Sequence, residues 1–139
     1  MPHFLLDTNI CIYIAKQRPP EVLARLGALM SGSVSMSVIT FSELLFGANR
    51  SQHRQKALDT LEKLSLAIPV LPMDSDAGCH YGQIRAELQK QGTPIGNNDL
   101  WIAAHARSQG LVLVTNNERE FVRVPGLEVE NWVLQSPQN

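Results

Sequence analysis

The chain has 139 residues, 44% of them hydrophobic and 18% charged, with a formal net charge of −1. Those values fit one globular domain with a real core, and they exclude a disordered chain and a general nucleic-acid coating protein. No apolar run approaches the ~18 residues that a membrane-spanning helix needs.

Met1-Pro2-His3 has no basic leader and Asp7 interrupts the first apolar run, so no signal peptide is expected. Cys11 and Cys79 both lie in apolar, helix-like surroundings and read as reduced thiols of a cytoplasmic protein. One domain is expected over residues 1–134, followed by a loose C-terminal tail, 135–139.

Phe4-Leu5-Leu6 predicts a short buried strand, and Asp7 arrives where it should end. A carboxylate there has two readings. It is a site residue, because ligands of open α/β sheets sit beyond the carboxyl ends of strands. Or it caps the helix that follows. Thr8 and Asn9 have short polar side chains suited to fixing a carboxylate's rotamer.

A helix from about Ile10 should stop before Pro19-Pro20. Glu21 to Met30 has a helical apolar set, and Ser33 to Ser37 alternates as a strand does. Val38 to Asn49 predicts a helix denser in apolar residues than a surface helix needs. Glu43 lies on it, either facing a half-buried cleft or closing a capping box with Thr40.

Ser51 to Leu64 predicts an amphipathic helix with Ala57, Leu58, Leu61 and Leu64 inward. Its start is basic, with Arg50, His53, Arg54 and Lys56, either a solvated face or a steering surface for an RNA backbone. Ala67 to Leu71 reads as a strand near an edge, because of Pro69. Ser75 to Gln91 is a long helix, capped by Asp74 or Asp76 and closed by Gly92. His80 on it reads as packing or surface.

Asn97-Asn98-Asp99 opens another helix, where the macrodipole alone would favour Asp99. Trp101 beside it reads as core or as an interface residue. Leu111 to Val114 predicts a central parallel strand, with Thr115-Asn116-Asn117 at its carboxyl end. Glu118 to Phe121 is a short turn or helix, and Leu127 to Trp132 a last strand. Strands alternate with helices, which defines an α/β fold with a parallel sheet.

Each acidic residue has a local explanation, but together they suggest a site. Asp7 and Asn117 follow strand ends, and Glu43, Asp99 and Glu120 come from elements able to pack around those ends. Converging carboxylates repel unless protonated or neutralised, and no inward lysine or arginine stands beside the first three. A divalent cation solves this, and oxygen-only ligands select Mg²⁺ or Mn²⁺ over Zn²⁺.

Four stretches in order, Leu6-Asp7-Thr8-Asn9, Ser42-Glu43-Leu44, Pro94 to Ala106 and Val114 to Phe121, resemble the PIN-domain ribonucleases, and within them the VapC toxins of bacterial toxin–antitoxin pairs. The match covers about residues 4 to 132.

The resemblance implies a three-layer α/β/α sandwich with four or five parallel strands. It implies a Mg²⁺- or Mn²⁺-dependent endoribonuclease that blocks translation, with initiator tRNA among the substrates of similar proteins. Asp7, Glu43 and Asp99 match the metal-holding positions, and Thr8, Asn9 and Thr115 the supporting ones. Many PIN domains have an aspartate where this chain has Asn117, and Glu120 is the candidate replacement.

The resemblance also implies a VapB-like antitoxin partner, a homodimer and a larger toxin–antitoxin assembly. The helices after Glu21 and Val38 are the expected walls of the antitoxin groove. Three other readings stand beside it: a phosphatase with Asp7 as nucleophile, a DNA-preferring nuclease, and a catalytically silent RNA- or protein-binding module.

Overall fold

Phe4 and Leu6 face one side of the first strand and Leu5 the other, and all three are buried, so helices must cover both faces of the sheet. A computed structural model, which describes residues 3–134, shows that arrangement. The expected tail, 135–139, lies outside the described residues.

In chain order the elements are β1 (Phe4–Leu6), α1 (Thr8–Ala15), α2 (Pro20–Gly27), β2 (Val34–Ser37), α3 (Val38–Asn49) and α4 (Arg54–Ala67). There follow β3 (Val70–Leu71), α5 (Ser75–Lys90), α6 (Asn97–Ser108), β4 (Val112–Val114), α7 (Glu118–Phe121) and β5 (Val129–Glu130). The strands form one sheet in the order β3-β2-β1-β4-β5, with every pairing parallel. Parallel neighbours require crossovers, which the helices supply. The three-layer α/β expectation therefore holds, with five strands.

One core joins Phe4, Leu6, Met36 and Val114 to residues of α1, α2 and α4. The other joins Leu5 and Leu113 to α5, α6 and Phe121. β1 lies at the centre, so its carboxyl end opens between both layers. Pro69 precedes the edge strand β3, as expected.

Boundaries shift where local hydrogen bonds compete with apolar periodicity. The first helix ends at Ala15, short of Pro19, and Gln17 adopts φ +59°. The second ends at Gly27 rather than Met30. α4 starts three residues late because Ser51 Oγ accepts from His53 N–H and holds a turn there, and it runs on to Ala67. The last strand shrinks to two residues, while Trp132 is buried edge-on against Phe4 at 5.6 Å. Cys11 is buried, but Cys79 is exposed on α5, so its apolar surroundings are not found. No helix among the described residues is long and apolar enough to cross a membrane.

Candidate active site

Asp7 follows β1 directly, and its N–H continues the sheet by donating to the Val114 carbonyl at 3.0 Å. Its Oδ1 accepts from Ile10 N–H at 3.0 Å, so it does cap α1. It also borders a cleft of about 180 Å³ lined by Asp7, Thr8, Asn9, Glu43, Asp99, Asn117 and Phe121. The two readings of Asp7 are thus compatible: the cap bond uses one oxygen and fixes how the carboxylate is presented.

Burial pushes the Asp7 carboxyl up to about 6, and Glu43 adds to the rise; the Thr115 hydroxyl and the Ile10 and Asn9 amides oppose it. Thr115 is itself fully buried, and its Oγ1 accepts from Asn117 N–H at 2.9 Å.

Glu43 sits mid-helix on α3. The N-cap of that helix is Ser37, whose Oγ accepts from Ile39 N–H at 3.1 Å, so Thr40 caps nothing and the capping-box reading is wrong. Thr8 Oγ1 lies 2.8 Å from Glu43 Oε1 and 3.2 Å from Thr40 Oγ1. A hydroxyl has a single proton. Given to the carboxylate, it leaves Thr8 free to accept from Thr40, which is fully buried behind it.

Asp99 lies in the first turn of α6. Its carboxyl is pushed up to about 7, by burial first and then by Glu120, Asp7 and Glu43. The dipole explanation of Asp99 is therefore insufficient, because three other acids act on it.

Glu120 stands just outside the cleft lining. Its carboxylate accepts from Gly96 N–H at 3.2 Å and from the Asn117 side-chain amide. It thereby bridges α7 to the residue that caps α6.

All eight residues expected from the sequence thus fall in or beside one cleft. No cation answers the negative charge: the only ion pair among the described residues is Arg25–Glu130, elsewhere on the surface. Nor are any three Asp, Glu, His or Cys side chains among them drawn close enough to coordinate a metal as they stand. The donor set still suits a hard divalent cation. It is all oxygen, and burial first, then neighbouring acids, raises two of its carboxyls.

One residue behind the cleft and one that lines it are not anticipated. Thr40 was read only as a cap, although its position three residues before Glu43 on one helix face was the available signal. Phe121 walls the cleft from α7, and the sequence offered no sign of it. Trp101 is half-buried and stacks on Tyr81 at 3.9 Å, which makes it neither deep core nor bare surface. His80 accepts from Arg107 Nε at 2.8 Å, a packing role as expected.

Beside the acidic cleft, and sharing Thr8 and Glu43 with it, runs an apolar groove of about 550 Å³. Ile12 and Ala15 of α1, Leu44 and Ala48 of α3, and Leu61 and Leu64 of α4 line it, with Lys16, His53 and Lys56 also on its walls. α1, α3 and α4 form its walls, and α2 lines no part of it.

A parallel sheet in this order, with acids gathered beyond β1, is the arrangement of the PIN domain, whose family description matches residues 4–127. The chain belongs to the PIN-domain family.

Its relatives place it more narrowly, among the VapC ribonucleases. It is 48% identical over 132 residues to a tRNA(fMet)-specific endonuclease VapC of Shigella flexneri, covering 95% of this chain and 99% of that one. It is 46% identical to ribonuclease VapC2 of Haemophilus influenzae, covering 96% and 100%. The structure also superposes on that of DNA-bound VapBC from Salmonella typhimurium with a TM-score of 0.90 and 44% identity, over 96% of this chain and 100% of that one.

Proposed function

We propose that this protein is the toxin of a VapBC-type pair: a cytoplasmic, metal-dependent endoribonuclease in which Asp7, Glu43 and Asp99 hold Mg²⁺ or Mn²⁺. The observation that carries the reading is the set of acids around one cleft with no basic partner. Bound there, the cation would supply an acidified water as nucleophile and offset charge on the phosphoryl group.

The chain's own part is pre-organisation. Ile10 N–H and Thr115 hold Asp7, Thr8 with Thr40 behind it holds Glu43, and the start of α6 presents Asp99. Glu120, tied to Gly96 and Asn117, is the fourth acid, and its role here is to hold the Asp99 end of the cleft and add negative charge where Asn117 brings none. Asn9, exposed on the cleft wall, would contact substrate through its amide.

The Shigella flexneri and Salmonella typhimurium relatives are tRNA(fMet)-specific endonucleases, which makes initiator tRNA the first RNA to offer. The apolar groove suits a segment of a VapB-like antitoxin, whose arginine would neutralise the acids on arrival. A homodimer would join two modest basic surfaces into one RNA-binding face.

The test is cleavage of total cellular RNA by antitoxin-free protein with Mg²⁺, Mn²⁺ or EDTA, beside Asp7→Ala. Discrete metal-dependent products that the variant does not make are expected. No cleavage by folded protein in either metal would favour the binding-module reading.

A further inference from the structure

His105 is fully buried on α6, and the proposed reaction makes no use of it. Its Nδ1 lies 2.8 Å from Ser37 Oγ. Ser37 is also fully buried; it ends β2 and caps α3. Nε2 has no partner within hydrogen-bond geometry. Burial holds the ring's pKa below the ordinary histidine value, against the pull of Asp74 and the Pro72 carbonyl. The neutral ring bonds Ser37 through Nδ1.

That bond has a particular place in the fold. α6 packs mainly on α5 and touches α3 only lightly. Among the described residues no other hydrogen bond joins α6 to α3 or to its cap. Ser37 lies six residues before Glu43, and His105 six residues after Asp99. At 1.5 Å per residue the tie thus sits about 9 Å along each helix from its carboxylate.

We infer that His105 is a positioning residue: its bond to Ser37 sets the spacing between the helix that carries Asp99 and the helix that carries Glu43, and with it the affinity of the cleft for a divalent cation. The inference rests on the proposed metal site.

It is tested by titrating Mn²⁺ into the purified protein, reading free Mn²⁺ by electron paramagnetic resonance, for wild type, His105→Leu, His105→Asn and Ser37→Ala. Asparagine places an amide where Nδ1 stands and can keep the bond; leucine cannot.

His105→Leu and Ser37→Ala should each weaken Mn²⁺ binding about tenfold, the scale of outer-shell substitutions, while His105→Asn stays within about twofold of wild type. If leucine at this position prevents folding, wild-type affinity in Ser37→Ala still overturns the inference; because Ser37 also caps α3, a loss there counts only beside retained affinity in His105→Asn. Wild-type affinity in Ser37→Ala, or a loss in His105→Asn equal to that in His105→Leu, overturns the inference while the metal site stands. A wild type that binds no Mn²⁺ overturns both.

Discussion

Two acidic regions of this molecule are built in opposite ways. At Glu130 the carboxylate is half-exposed and paired: Arg25 Nη2 lies 3.2 Å from Oε1, to which Trp132 Nε1 also donates at 2.9 Å. The same guanidinium stands over the rings of Phe4 and Trp132 at 5.5 and 5.6 Å. At the end of β1, Asp7 is buried and faces Glu43 and Asp99, with no cation paired to them among the described residues. The chain can pair an acid when stability is at stake. Leaving buried Asp7 and its half-buried neighbours unpaired costs stability, the pattern on which the proposed metal site rests.

The comparison breaks most visibly at Asp7. Asp7→Ala, Glu43→Ala or Asp99→Ala should each lower RNA cleavage by more than about a hundredfold, since even outer-shell partners of a metal cost 10–100-fold. The circular dichroism spectrum should be unchanged. A variant that keeps most of its activity removes that acid from the site. Thr8→Val should cost about tenfold by releasing Glu43, with the loss in kcat rather than KM.

Stability should move the other way. Folded Asp7 binds its proton more tightly than the unfolded chain does, at about 6 against 3.8. Its penalty is therefore full above about pH 6 and absent below 3.8. Through this group alone, metal-free protein should gain about 2 kcal/mol as pH falls from 7 to 4. Chemical denaturation of wild type and Asp7→Asn at several pH values checks this: the difference between them should grow with pH in EDTA and shrink in millimolar Mg²⁺.

The smallest effect belongs to the answered acid. Glu130→Ala should cost no more than about 1 kcal/mol and leave cleavage unchanged.

The legibility of the sequence followed the same division. Strand ends could be read because apolar runs stop at a polar residue, and that alone located Asp7 and Asn117. The α/β class followed from alternation, and the wider α/β/α layering and the site's membership from family resemblance. Capping chemistry was legible at Asp74, which does accept from Asp76 and Ala77 N–H. It misled at Thr40, because Ser37 sits three residues earlier with an equal claim. The walls of the groove were half legible: α2 and α1 both have apolar faces, and only tertiary packing decides which one α4 lies against. The Ser37–His105 bond spans 68 residues, and no local pattern announces it.

Thermal unfolding would show whether the unanswered acids are a divalent-cation site. Mn²⁺ or Mg²⁺ should raise the melting temperature of wild type in proportion to the logarithm of its concentration, and leave Asp7→Asn and Asp99→Asn unmoved. An equal rise in all three proteins, or none in wild type, would contradict such a site.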